Sequence, residues 1–145
     1  MKIRLFKPTD ANLCVAIINE NKENMGDLYT KASLIKSSKN NNYWVAEEGG
    51  KIIGMIGLTD LNNGIGMVIS FCVRKLFQNR GIGEALLKRI ESEVKKRKYR
   101  KLLLLTHVAN KRMMSLAIKE DFIPEGTLKK HFKDGKDVVY FSYFI

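Results

Sequence analysis

The sequence predicts an α/β (α+β) domain, a mixed central β-sheet with flanking helices, in the order β-α-α-β-β-β-α-β-α-β-β. Three observations carry this. Met67 to Val73 (MVISFCV) is an almost continuous apolar run, which reads as a central strand buried on both faces. The period then changes: Ile82, Leu86, Ile90 and Val94 recur every four residues, which marks an amphipathic helix over 81–98. Leu102 to Thr106 (LLLLT) follows as a second buried strand, so the sheet is parallel across that helix.

The other elements follow in order. Residues 2–6 (KIRLF) alternate like a short strand. Thr9 and Asp10 open a helix that carries Leu13, Ala16 and Ile17 and ends near Asn19. Asn21 to Gly26 is polar and loop-like, and a second helix is expected from Asp27 to about Lys36. Tyr43 to Glu47 and Lys51 to Leu58 flank Gly49-Gly50, the signature of a hairpin. Asn62 to Gly64 marks the next turn. Asn110 is a good N-cap for a short helix with Met113, Leu116 and Ala117, which Pro124 and Gly126 break. Thr127 to Phe132 and Val138 to Ile145 then flank Asp134-Gly135, predicting a tight hairpin.

The 145 residues fit one domain, 1–145, around one core. Lys and Arg total 26 against 15 Asp and Glu, a net charge of +11, which favours anionic partners such as a phosphorylated cofactor or nucleic acid. The densest stretch, Lys88 to Lys101, reads as a solvated helix face and its exit turn. It lacks the aromatic–basic interleaving of a nucleic-acid module, which argues against that partner. No apolar run reaches the roughly 20 residues that cross a bilayer, so no membrane partner is expected. The N-terminus shows no signal peptide. Cys14 and Cys72 form neither a metal-ligand spacing nor a disulfide framework. A reduced, cytoplasmic setting without a metal is the expectation.

The chemistry concentrates in Met67 to Leu87 (MVISFCVRKLFQNRGIGEALL), where a buried strand ends, a basic loop follows and a helix begins. The first N–H groups of such a helix lack partners and point outward. The helix dipole adds partial positive charge there. Gly81 and Gly83 remove the Cβ atoms that would hold a phosphate away, and Arg74, Lys75 and Arg80 add charge. The expected ligand is a phosphate or pyrophosphate. No GxxxxGK[ST] occurs, which excludes a P-loop. A dinucleotide GxGxxG/A fails at Leu86 and finds no acidic residue over 101–111.

Gln78-Asn79-Arg80-Gly81-Ile82-Gly83 resembles the coenzyme A signature Q/R-x-x-G-x-G/A of the GNAT superfamily of N-acetyltransferases. The resemblance extends over nearly the whole chain, through the element order, the strand ending at Val73, Asn110 after the fifth strand, and Phe122 before the last two. It implies the GNAT acyl-CoA N-acyltransferase fold, with the fourth and fifth strands splayed. It implies acetyl-CoA as cosubstrate, its pantetheine arm along the backbone of Phe71, Cys72 and Val73. Backbone N–H groups of Gln78, Asn79, Arg80, Gly81, Ile82, Gly83 and Glu84 would hold the pyrophosphate, and the Asn110 side chain would help place the arm. The acceptor would be an amine, of a small molecule or a protein, attacking the thioester directly. Members often dimerise, so a homodimer is admitted with no interface fixed.

The chain departs from the family pattern at two positions. The Tyr usually found seven residues after the Asn is Ala117, and the Gly before the Phe is Asp121. The general acid and base are therefore unassigned. Ser115, Tyr140 and Tyr143 are hydroxyl candidates, and Ser70 occupies the stretch where a carboxylate is usual. Glu47 and His107 stand at strand ends within possible reach of a cleft. Cys72 beside the thioester reads as a small core residue rather than a covalent carrier. Two alternatives stand beside the enzyme reading: a catalytically weak acetyl-CoA-binding regulator, suggested by Ala117, and a basic nucleic-acid-binding module, suggested by the charge of +11.

Overall fold

A computed structural model describes residues 1–26 and 28–145. One sheet of seven strands runs through it: β1 (Lys2–Leu5), β2 (Asn42–Glu48), β3 (Lys51–Asp60), β4 (Ile65–Val73), β5 (Lys101–His107), β6 (Ile123–Leu128) and β7 (Val138–Phe144). Four helices flank it: α1 (Ala11–Glu20), α2 (Lys31–Ser37), α3 (Ile82–Lys96) and α4 (Lys111–Lys119). The strand order is β1-β2-β3-β4-β5-β7-β6, antiparallel except for the β4–β5 pair. The element order is the one the sequence predicts, and the architecture is mixed α+β.

Two cores sandwich the sheet. On one face α3 turns Leu86, Leu87, Ile90 and Val94 inward, all fully buried, against Trp44, Ile53, Ile56, Leu102 and Phe141. Each such side chain contributes roughly 1.5–3 kcal/mol. On the other face α1 buries Cys14, Ile17 and Ile18 beside Val45, Met55 and Cys72.

Several local expectations need correction. The second helix starts at Lys31; of its predicted span, Asp27 lies outside the described residues. Thr30 sets this start through a reciprocal cap: its Oγ1 accepts the Ser33 N–H at 3.1 Å, and Ser33 Oγ accepts the Thr30 N–H at 2.9 Å. The sixth strand runs Ile123–Leu128, earlier than predicted, and Pro124 and Gly126 lie inside it, at an irregular register. A proline is tolerated there because β6 is an edge strand. Asp134-Gly135 does not close a tight hairpin. The register pairs Leu128 with Val138, so residues 129–137 form a longer loop, within which Gly135 N–H bonds Phe132 O at 2.9 Å.

The most informative correction concerns β4. It is not buried on both faces throughout, for Ile69, Ser70 and Phe71 are only half-buried. Its parallel ladder with β5 covers only Ile65–Met67 against Lys101–Leu103, although both strands continue. Opposite β3, the register shifts between Met55 and Gly57 while β4 spends Ser70 and Phe71 on the same step. Ser70 has φ of 49°. This is a β-bulge, which bends a strand and increases its twist. It turns the end of β4 away from β5 and opens a gap in the middle of the sheet.

Candidate acyl-coenzyme A cleft

The gap widens into a cleft of about 780 Å³. β4 contributes Met67 to Val73 and β5 contributes Leu104 to His107. The loop after β4 and the first turn of α3 close one end, with Gln78, Gly81 and Gly83. Met25, Tyr29, His131 and Phe132 close the other, and α4 adds Asn110, Arg112 and Leu116 along the side.

The closing loop is shaped by backbone. Asn79 and Gly81 both have left-handed φ, 62° and 79°. A Cβ at Gly81 would meet open space, so glycine is needed there for its φ. Among the described residues, none of the backbone N–H groups of 79–84 donates to a protein acceptor, whereas the next, Ala85, donates to Gly81 O at 3.0 Å. Successive N–H groups in such a turn form an anion-binding concavity, here at the N-terminus of a 15-residue helix. The Gln78 N–H is already used by Lys75 O at 3.3 Å, so the cradle begins at Asn79.

Side chains brace this loop rather than fill it. Gln78 Nε2 donates to Asn21 Oδ1 and to Val73 O, each at 3.1 Å. Asn21 Nδ2 donates to the same Val73 carbonyl at 3.1 Å and to Ile17 O at 2.9 Å. Arg112 donates to Gln78 Oε1. Arg80 lies over the Phe77 ring at 5.0 Å. Glu84 is held by Lys88 and Lys119, and those bonds lower its carboxyl to about 2. Sequence reading missed Asn21; its only signal is an amide at the end of a helix, which ordinarily reads as a C-cap.

Along β4, Arg74 N–H bonds Ile53 O at 2.9 Å. Antiparallel alternation then turns the Val73 N–H and C=O away from β3 and into the gap. The carbonyl is taken by Asn21 and Gln78, which leaves the N–H. Cys72 points the other way, into the core beside Cys14, where burial pushes its thiol well up and keeps it protonated. Asn110 Oδ1 caps α4 by accepting the Met113 N–H at 3.2 Å, so its NH₂ is the part that remains for a ligand.

The proton-transfer candidates separate sharply. Ser70 and His107 line the cleft. Glu47 does not: Arg4 holds it at 3.0 Å, together with Asp10 at 2.8 Å, on the far side of β2. Ser115 is exposed on α4 away from the cleft. Tyr140 lies over Gly126, and Tyr143 packs on Phe122 at 5.4 Å. Ala117 is fully buried in the α3-side core. Tyr29, which sequence reading left aside, lines the cleft beside the Tyr43 hydroxyl, which burial raises to about 12. His107 Nδ1 sits 3.1 Å from the Glu23 carbonyl, which can only accept. Nδ1 therefore carries the proton in the neutral ring, and the buried Nε2, without a hydrogen-bond partner among the described residues, faces Asp134 Oδ2 at 3.6 Å.

A family model described as the Acetyltransferase (GNAT) family matches residues 14–120. The chain belongs to the GNAT acetyltransferase family. Its fold is similar to that of ribosomal-protein-alanine N-acetyltransferase from Brucella melitensis, with TM-score 0.90, 21% identity and full coverage of both chains (100% and 100%). An N-acetyltransferase from Staphylococcus aureus Mu50 has TM-score 0.86 and 22% identity, over 99% of this GNAT chain and 97% of its own. The Salmonella typhimurium protein yncA, solved with its cofactor acetyl-CoA, has TM-score 0.86 and 17% identity over 99% and 93%. No curated protein sequence matches. Among the described residues, no helix is long and apolar enough to cross a membrane, and no group of three His, Cys, Asp or Glu could hold a metal ion.

Proposed function

We propose that this GNAT chain is an N-acetyltransferase that moves an acetyl group from acetyl-CoA to a primary amine by direct attack on the thioester. The observation that carries the reading is the run of unbonded N–H groups over 79–84, set at the mouth of a gap between two strands. That arrangement suits a pyrophosphate with an extended, hydrogen-bonding arm. Acetyl-CoA bound there supplies an acyl group already activated as a thioester.

The chain's own residues have distinct roles in this reading. Asn79 to Glu84 bind phosphate oxygens by backbone. The Val73 N–H and the exposed edge near Phe71 orient the arm, and the Asn110 NH₂ assists. The apolar walls exclude water. His107 Nε2 and the Ser70 hydroxyl accept or relay the proton that the amine must lose, and the Tyr29 hydroxyl stands on the facing wall. A thiol leaves readily, with a pKa near 8.5, so the missing Tyr at Ala117 slows the step without abolishing it. The same reading takes residues 1–145 as one catalytic domain working in the cytoplasm.

Ala117 favours a second reading, an acetyl-CoA-binding regulator with little turnover. Against the nucleic-acid module, Lys88, Arg89 and Arg97 in the basic stretch are paired with Glu84 and Glu93.

The test is calorimetry of acetyl-CoA with wild type and Gly81→Glu, followed by thiol release with an amine panel. Wild type should bind and the variant should lose at least about 100-fold in affinity. Equal binding by both would overturn the cradle. Tight binding with no turnover on any amine would favour the regulator.

A further inference from the structure

The end of the cleft away from the phosphate cradle has its own chemistry. It is faced by Met25, Tyr29, His107, His131 and Phe132. Two segments meet there: the connection after α1 and the loop over 129–137. No sheet or helix joins them. Phe132 does, for a Cβ at Gly26 would lie only 2.5 Å from Phe132 Cζ. The ring thus occupies the space a side chain at position 26 would need, and only glycine admits it. The same ring packs edge-on against His107 at 5.6 Å and against His131 at 4.9 Å. Lys136 Nζ reinforces the closure by donating to Glu23 O at 3.1 Å.

Charge at this end is one-sided. Among the described residues the only carboxylate lining the cleft is Glu84, at the opposite end and held by two lysines. The carboxylates described on the two closing segments already have partners: Glu23 lies 3.2 Å from Lys75 and Asp137 3.0 Å from Lys129, while Asp134 takes the Lys136 N–H at 2.9 Å with one oxygen and faces His107 Nε2 at 3.6 Å with the other. A second cation on an acceptor would find no lining carboxylate there among the described residues, and Lys136 stands at the closure on Glu23 O. An apolar wall also disfavours the ammonium form, and so favours the neutral amine that can attack.

We infer that the acceptor is a primary amine on an apolar or aromatic body with no second positive charge, and that Phe132, seated over Gly26, sets this specificity. The inference rests on the acetyl-transfer reading above. A free arylalkylamine and an apolar peptide N-terminus share this chemistry.

The test is calorimetry of the full chain saturated with coenzyme A. The titrants are 2-phenylethylamine, a neutral peptide amide beginning with Phe, spermidine and a lysine-rich peptide. One of the first two should bind at least about tenfold tighter than either polycation. Tighter 2-phenylethylamine identifies a free amine, and tighter peptide a chain terminus. Phe132→Ala should weaken the preferred amine by about tenfold or more while coenzyme A affinity stays within about twofold; that retained affinity also shows that the variant is folded. Gly26→Ala, which displaces the ring, should do the same. Tightest binding by a polycation, no amine binding at all, or no effect of either substitution overturns the inference while the acetyl-transfer reading stands. Failure of wild type to bind coenzyme A removes that reading, and the inference with it.

Discussion

The two ends of the cleft are built from different material. The end at the α3 N-terminus is backbone: residues 79–84 present N–H groups, shaped by left-handed Asn79 and Gly81, and the side chains there brace the loop. The opposite end is side chain: aromatic rings, two histidines and a hydroxyl, brought from segments far apart in sequence. A backbone site constrains few residues, but it constrains them in one short, contiguous run. A side-chain site constrains many positions, none adjacent. The first can be read as a motif and the second cannot.

Substitutions should expose this difference. The largest effect is expected at Gly81. Gly81→Val forces a β-branched residue to φ near 79°, at about 1–3 kcal/mol of strain, and re-aims the N–H groups. Acetyl-CoA affinity should fall by about 100-fold, read by calorimetry, and urea unfolding should report the strain. Asn21→Ala comes next. It strips one of two donors from Val73 O and the acceptor from Gln78 Nε2, a cost of about 1–3 kcal/mol. Cofactor affinity should drop about tenfold; an unchanged affinity would mean the brace is dispensable. Arg80→Ala should matter less, by a few-fold in affinity, because its guanidinium lies over Phe77 and the cradle is backbone. A loss as large as that of Gly81→Val would break the comparison.

Glu84→Gln should have the smallest effect. The carboxylate is only partly buried and its lysine partners are exposed, so the pairs count for little at neutral pH. Its folded pKa is lowered, to about 2, so whatever stability it gives is present above the unfolded value near 4.3. That contribution fades as pH falls through about 2. The melting temperatures of wild type and Glu84→Gln should therefore converge on acidification; divergence would contradict the assigned pairing.

The same contrast explains what the sequence revealed. Periodicity locates α3, and apolar runs locate β4 and β5, because each is a local consequence of burial on a regular element. The glycine signature marks the cradle because positive φ needs particular residues. The β4 bulge was hidden, since MVISFCV looks like any buried strand and only the pairing with β3 reveals the extra residue. Glu47 stood at a strand end and looked available; nothing local says that Arg4 and Asp10, folded in from β1 and the turn before α1, claim it. Tyr29, His107 and Phe132 share a site only through tertiary structure.

The short β4–β5 ladder has a mechanical side. The sheet is two plates, β1 to β4 and β5, β7 and β6, hinged on Ile65–Met67 against Lys101–Leu103 and supported by α3 beneath. Beyond the hinge the facing backbone edges of β4 and β5 line the cleft without pairing to each other. In the proposed reading, a slender, extended molecule entering from the cleft mouth pairs with them. Such a guest would lie in the sheet as an extra interior strand, wedging the plates at the angle it needs and leaving again without any element having to unfold.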